Sequence, residues 1–356
     1  MKRDAFLDDT DAALAEAAQR FGRQRFAFDA RQRLTSGQRR FDPAAWRDMA
    51  EMGWLAVATG EDDGGLGLRA GSIALLARAA GAAGINEPLA STAFAGADVL
   101  RLNATPAQRA DWLPRLLAGE LRLACAFAGQ HGSVRAEGDG LHGRLEVVLD
   151  ADLADLLLIE AEDGSRRRWY AVAADAPGLA RSPYPLMDGR AAATLVLQGC
   201  QADALAPTAN GHSPLVAALA AAADAVGAME VAFGLTLEYV KTRKQFGVSI
   251  GSHQVVAHRA VDMLIRLEEC RAVVAGATRA LHSGDAARGY EVHAAKAYVG
   301  QQGRLLAQEA VQLHGGIGIT EECAVSHCLR RILVDEQLCG STRDHLRSFA
   351  ASPKRR

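Results

Sequence analysis

Residues 239–254 read YVKTRKQFGVSIGSHQ and residues 312–318 read QLHGGIG, two glycine-bearing strings that each interrupt a long helical pattern. Ahead of the first, Ser213 and Pro214 are spaced as N-cap and first residue of an alanine-rich helix reaching about Arg243. Behind it, Val256, Ala260, Met263, Leu264, Leu267, Cys270, Val274, Ala277 and Leu281 recur at steps of three and four. That spacing predicts a helix buried along one face until Ser283 and Gly284 end it. A third helix is expected from Asp285 to the Gly315-Gly316 pair. A fourth is expected from Thr320, with Glu321 and Glu322 in a first turn where the helix dipole favours negative charge, as far as Gly340. Four long helices with short links predict an up-and-down four-helix bundle over residues 209–356.

Upstream the period changes. LHGRLEVVL (141–149), ADLLLIEAE (154–162), RRWYAVAAD (167–175) and AATLVLQGC (192–200) are short runs rich in Val, Leu and aromatics between Asp-Gly and Pro-Gly turns. They predict a small β domain over residues 121–208. Residues 1–120 return to helical signals: Asp42 before Pro43 and Thr105 before Pro106 are N-cap pairs, and Gly53 stands where the helix from Pro43 needs a C-terminal glycine. EDDGGLGL (61–68) reads as a loop. The chain is therefore expected to be mainly α with a small β domain in the middle.

At 356 residues and 49% hydrophobic, the chain can bury a large core, and disorder is excluded. Lys plus Arg number 40 against 42 Asp plus Glu, so no basic excess is available for a phosphate backbone and no nucleic acid partner is expected. Six cysteines form no CxxC pair, and the start MKRDAFLDD lacks the apolar core of a signal peptide, so a reducing cytoplasm is expected. The most apolar stretch, 215–237, is built largely of alanine and carries Asp224 and Glu230, which reads as a buried helix and not a membrane span. No internal repeat is visible.

The two opening strings, their order and their separation resemble the best-marked motifs of the acyl-CoA dehydrogenase family, a TRxQFGxxIGxxQ-like run and a QxxGGxG run. MGWLAVATGEDDGGLGL (52–68) and PYPLMDGRAAATLVL (183–197) extend the resemblance over essentially the whole chain. The resemblance implies a bacterial-type acyl-CoA dehydrogenase fold whose middle domain is β barrel-like, with FAD as cofactor, an acyl-CoA substrate, an electron-transfer acceptor and a dimer or tetramer. In the family, the residues matching Arg243, Gln245 and Phe246, and those matching Gln312, Gly315 and Gly316, reach the flavin of the neighbouring protomer. The chemistry agrees: a pyrophosphate wants a guanidinium, backbone N–H groups and close glycine approach. Each feature also has a plainer reading, because an arginine or a glycine pair after a helix ordinarily caps its C-terminus. The flavin-facing loop of the β domain is less well kept in FAGQHGS (127–133), where only Gly132 and Ser133 match, leaving Ser133 as a flavin-side or pantetheine-side contact or an ordinary loop serine. His131 reads as a solvated loop residue.

The family reaction removes the proton α to a thioester while a hydride leaves the β carbon for the flavin. It needs a carboxylate with a raised pKa opposite the flavin. Most members place this Glu in a Glu-Gly-Thr run after the fourth bundle helix; here an ungapped count gives Cys339-Gly340-Ser341-Thr342, with Ser341 and Thr342 at cofactor-binding positions. A second subset places it on the first bundle helix, at the position held here by Ala217. Neither usual base is present. A relocated base would be Glu336, with Asp335 beside it, or Asp224, two turns from Ala217. Cys339 could serve only as a thiolate, and a small buried residue is the simpler reading. The favoured reading is the base-less half of a heteromer, as in family members acting on sterol side chains and dicarboxylic acyl-CoAs, where a second subunit carries the Glu. A flavin-free structural or regulatory homologue is a further alternative.

Cys323, His327 and Cys328 are read as packing and not a metal cluster. Arg166, Arg167 and Arg168 are read as a solvated turn that could also meet CoA phosphates, and His258, His293 and His314 as packing or surface residues.

Overall fold

The computed structural model describes residues 9–30, 32, 41–68, 70–130, 132–138, 140–206 and 211–352. His131 and the linker 207–210 lie outside the described residues. The helices are α1 (Asp9–Arg25), α2 (Pro43–Glu51), α3 (Ala70–Ala83), α4 (Ala97–Asn103), α5 (Pro106–Leu117), α6 (His212–Thr242), α7 (Gln254–His282), α8 (Arg288–His314), α9 (Ala324–Gln337) and α10 (Thr342–Ala351). The strands are β1 (Leu123–Ala126), β2 (Gly132–Glu137), β3 (Gly140–Leu149), β4 (Leu156–Asp163), β5 (Arg166–Ala173), β6 (Leu179–Pro185), β7 (Ala191–Cys200) and β8 (Asp203–Ala204), with a hairpin of β9 (Lys244–Gln245) and β10 (Val248–Ser249). Two compact units result, one from residues up to 33, 74–85 and 218–356, the other from 34–73 and 86–217.

In the sheet-bearing unit the turn chemistry acts as the sequence predicts. The Asp42 carboxylate accepts from Ala44 and Ala45 N–H to start α2, Gly53 takes φ +77° after it, and Thr105 forms a capping box with Gln108 at α5. Leu89–Gly96 is a buried π-helical stretch running into α4. Its Thr92 hydroxyl accepts from Leu123 N–H at 2.9 Å and donates to Leu123 O at 3.1 Å, and Ser91 donates to the Asp150 carboxylate. The strands form one curled sheet in the order β6-β7-β3-β2-β4-β5-β8, with β1 parallel to β4. Leu157, Ile159, Val172, Leu195 and Leu197 alternate inward to fill it. Arg166 to Arg168 do not form a turn: they open β5, facing Asp163 to Ala161 across the hairpin, because the tight turn is made by Gly164 at φ +61°. Arg168 is tied down by donating to Leu205 O at 2.7 Å.

In the helical unit α7, α9 and α10 pack on α8. The main helices appear as predicted, with three local differences. First, Ser213 is not a local cap. The helix begins at His212, and the Ser213 hydroxyl (2.7 Å) and His212 Nδ1 (2.9 Å) both meet Asp98 Oδ2, so a carboxylate remote in sequence serves the helix start. Second, α9 begins at Ala324 and not after Thr320. The Ser326 hydroxyl donates back to Thr320 O and Cys323 O, and Glu321 is held outside the helix by both terminal nitrogens of Arg330 at 2.8 and 2.9 Å. Third, α9 stops at Gln337, ahead of Gly340, because Leu338 turns extended at ψ 143°, and Cys339 follows in the left-handed region at φ +59°. The predicted α7 stripe is buried from Met263 to Leu281, but Leu264 and its neighbours Val261 and Ile265 are exposed.

α6 is long and apolar enough to cross a membrane, with a window of mean hydropathy 1.7, yet 89% of that window is buried inside the protein. Its Gly227 packs against α3, where an added Cβ would meet Arg78 O at 1.9 Å, and a Cβ added to Gly81 of α3 would in turn meet Asp224 O at 1.9 Å. Glu230 then links α3 and α6 to α7 through Arg78 (2.6 Å) and Arg271 (2.7 Å).

Candidate functional site

The two opening strings meet at one end of the bundle. α6 and α8 run in the same direction, so their C-termini adjoin, and Tyr239 stacks on His314 with ring centroids 4.4 Å apart and planes 21° apart. From α6 the chain turns at once into the β9–β10 hairpin, whose two central residues, Phe246 at φ +52° and Gly247 at φ +84°, form a type I′ turn. The hairpin is closed by Ile250 N–H donating to Arg243 O at 2.9 Å. Phe246 at its tip is 94% exposed. Arg243 and Gln245 are exposed too, and among the described residues Arg243 forms no ion pair.

At the other string, Gln312 is exposed and its carbonyl accepts from Gly315 N–H. Gly315 adopts φ +68°, ψ −150°, a conformation essentially confined to glycine. Nothing stands within 4 Å of where a Cβ would be on Gly315 or Gly316, so the backbone there is open to close approach. Gly318 does the opposite: a Cβ would meet Val311 O at 2.7 Å, so the turn folds back on the end of α8.

These residues fit a flavin dinucleotide by their donor chemistry. An unpaired guanidinium suits the pyrophosphate, two open glycines allow backbone approach, and an uncovered phenylalanine needs an apolar partner. In the sheet-bearing unit, Ser133 is exposed on β2 opposite Arg144, beyond Gly132 at φ +138°. Earlier in the chain, Phe127 is buried edge-on to Trp169 at 5.5 Å, and Ala128 N–H donates to Glu160.

The opposite end of the bundle holds the base positions that end α9. Cys339 is half-buried in a loop fixed by two donors. The buried Lys296 ammonium donates to Glu336 O and Gly340 O at 3.1 Å each, and His345 Nε2 to Cys339 O at 2.9 Å. Because that carbonyl only accepts, His345 Nε2 carries hydrogen, and His345 Nδ1 therefore accepts from His293 Nδ1 at 2.8 Å. Burial and the neighbouring Lys296 cation push His345 down to about 4. Ser341 caps α10, exchanging hydrogen bonds with Asp344, and Thr342 donates to Glu336 Oε1 at 3.0 Å.

Both candidate relocated carboxylates are occupied. Glu336 is buried and takes Arg304 Nη2 on one oxygen and Thr342 on the other. Asp224 is buried and held by Arg331 through Nε and Nη2, each at 2.7 Å. Asp335, next to Glu336 in sequence, is buried as well. Ala217 is buried near the start of α6. Among the described residues no group of three or more His, Cys, Asp or Glu could hold a metal, and His327 instead sits edge-on to Phe28 at 5.0 Å. Among the described residues no cysteine forms a disulfide.

Sequence reading passed over Tyr239, Lys296, Arg304 and Arg331, and took His314 for packing or surface. The available signal was adjacency: Tyr239 lies one turn before Arg243, and His314 immediately precedes the glycine pair. Nothing in the sequence marks Lys296.

Comparison with known proteins settles the class. Residues 8–120 match the acyl-CoA dehydrogenase N-terminal domain and residues 215–352 the acyl-CoA dehydrogenase C-terminal domain. The chain belongs to the acyl-CoA dehydrogenase family. Among its relatives is acyl-CoA dehydrogenase IpdE2 of Mycobacterium tuberculosis, 30% identical over 313 residues that cover 88% of this chain and 87% of that protein. The IpdE2 of Mycolicibacterium smegmatis is 29% identical, covering 87% and 88%. Among solved structures, the Tcur3481–Tcur3483 steroid ACAD superposes with a TM-score of 0.89 at 27% identity, covering 96% of this chain and 97% of that one. The ChsE4–ChsE5 complex of Mycobacterium tuberculosis gives 0.88 at 24% identity, covering 98% of each chain, and shares the fold.

Proposed function

We propose that this chain is the base-less subunit of a heteromeric, FAD-dependent acyl-CoA dehydrogenase. Arg243, Gln245, Phe246, Gln312, Gly315 and Gly316 contribute to a flavin site shared with a Glu-bearing second subunit, and an acyl-CoA thioester is dehydrogenated there between its α and β carbons. When bound, the flavin accepts the hydride. The guanidinium of Arg243 holds pyrophosphate charge, the open backbone at Gly315 and Gly316 admits it closely, and Phe246 is covered by the partner and keeps water out.

The carrying observation is the separation of the two ends of α8. The strings adjoin His314, whereas Cys339 is tied to His293 through His345 at the other end, and the twenty-one helical steps from His293 to His314 span about 30 Å. A ribityl arm does not bridge that length, so a pyrophosphate on these strings belongs to a flavin whose ring lies away from this chain's own residue 339. At that position the chain offers a thiol, at 217 a methyl group, and the nearby acids already accept from arginines. Support also comes from the 27%-identical steroid ACAD, whose name joins two components.

The test is co-expression with a Glu-bearing acyl-CoA dehydrogenase from the same gene neighbourhood. The complex should show flavin absorbance at roughly 450 nm and reduce an artificial acceptor with acyl-CoA, while the single chain is inactive. Turnover by the pure single chain that survives in Glu336→Gln but not in Asp224→Asn, or the reverse, would establish a relocated base in place of this reading.

A further inference from the structure

Resting on the flavin reading above, we infer that Tyr239 and His314 are positioning residues whose stacked rings hold the two flavin-contacting strings in register as one site. Neither string is braced against the other by a backbone hydrogen bond: the hairpin closes on itself through Ile250 and Arg243, and the glycine turn closes on α8. What joins them is the ring pair. Half-buried Tyr239 and buried His314 have ring centroids 4.4 Å apart, with the Tyr239 hydroxyl reaching His314 O at a long 3.4 Å.

Each ring is itself fixed to the backbone next to its string. His314 Nδ1 donates to Ala310 O at 2.8 Å, which sets the ring's rotation, and the next residue is Gly315 in its glycine-only conformation. A Cβ added to Gly318 would stand 3.0 Å from His314 Cβ, so the turn from Gly315 to Ile319 folds closely over this residue. On the other side, Tyr239 O accepts from Arg243 N–H at 2.8 Å, placing the arginine one turn above the ring. Gly251 brings the returning hairpin within contact of Val240 O, where a Cβ would stand at 2.8 Å. A rotation of either ring therefore displaces Arg243 relative to Gly315. A ligand gripped by both strings needs that spacing constant, because misplacement of one anchor forfeits the advantage of the other.

The test has two readouts, one without any cofactor. In the purified chain, amide hydrogen exchange should speed up at Arg243 and Ile250 in His314→Ala and at Gly318 and Thr320 in Tyr239→Ala, each in the string not mutated, while Tyr239→Phe behaves as wild type. In the complex, either alanine variant should weaken FAD binding about tenfold, with the double variant no worse than the singles, and Tyr239→Phe should rescue it. Exchange changes confined to the mutated string, or flavin losses that multiply in the double variant, overturn the inference. If an alanine variant does not fold, His314→Leu and Tyr239→Leu replace it and are read the same way. A wild-type complex that binds no flavin, with cross-string exchange coupling intact, would instead sink the flavin reading and leave the joint standing.

Discussion

Asp224 on α6 and Arg331 on α9 form a two-pronged ion pair inside the bundle, with both contacts at 2.7 Å. Two turns along the helix from Ala217, this is the one acid on α6 near a usual base position, and the arginine has claimed both of its oxygens. A buried charge stripped of its partner is expensive, whereas removing both charges is far less so. Asp224→Asn should therefore lower stability by about 3–5 kcal/mol, and Asp224→Leu combined with Arg331→Leu by clearly less than the two single changes together. Urea unfolding of the three variants measures this. A catalytic Asp224 would show the reverse: normal stability with lost turnover.

Glu87 and His345 should tilt the pH profile of stability in opposite directions. Burial raises Glu87 from 4.5 to about 7, with Asp42 adding to it. Its neutral form is favoured in the fold, so stability is lost as pH rises from 4.5 to about 7. His345 is lowered from 6.5 to about 4, so its stability is intact above 6.5 and lost as pH falls. Each effect amounts to about 3 kcal/mol at most. Glu87→Gln should leave a profile that climbs with pH between 4 and 6.5 and lies above wild type at pH 8. His345→Asn should leave one that declines over the same range. Unfolding midpoints from pH 4 to 8 decide it, and an unchanged slope in Glu87→Gln counts against the raised carboxyl.

Helical glycines should split into two groups. Gly81→Ala places a methyl group 1.9 Å from Asp224 O in a backbone-to-backbone crossing that cannot give way, and it should cost more than 3 kcal/mol or abolish folding. Gly276 on α7 has open space around its Cβ position, and Gly276→Ala should stabilise by up to about 1 kcal/mol. Thermal melts of the pair make the comparison.

Phe246→Ser should separate assembly from folding. The side chain is nearly bare, so the isolated chain's stability should change by less than about 0.5 kcal/mol. In the complex with a Glu-bearing subunit, the same variant should lose flavin and shift sedimentation toward free subunits. A variant complex that keeps both would mean that the hairpin tip is not covered by the partner.

Much of the fold was legible in the sequence because it is written in local chemistry. The stripe from Met263 to Leu281, the caps at Asp42 and Thr105 and the glycine after α2 each act within a turn or two of chain. Of the candidate site, the sequence supplied the strings at Arg243–Phe246 and Gln312–Gly316 as candidates and showed Ala217 and Cys339 in place of glutamate. Where sequence reading went astray, either a distant group had intervened, as Asp98 does at the start of α6, or the turn lay two residues earlier than expected, at Gly164, leaving the three arginines to open a strand.

Residue types along the chain determined the helix–sheet–helix order, the glycines that permit close approach and the presence of Ala217 and Cys339 where a glutamate was looked for, since all of these are read from the chain itself. Only the tertiary structure decided that Asp224 and Glu336 are neutralised by Arg331 and Arg304, that Lys296 and His345 pin the loop of Cys339, and that Tyr239 meets His314. The physical reason is that charge pairing, burial and ring stacking depend on distance in space, and the bundle brings together side chains 32 to 107 residues apart.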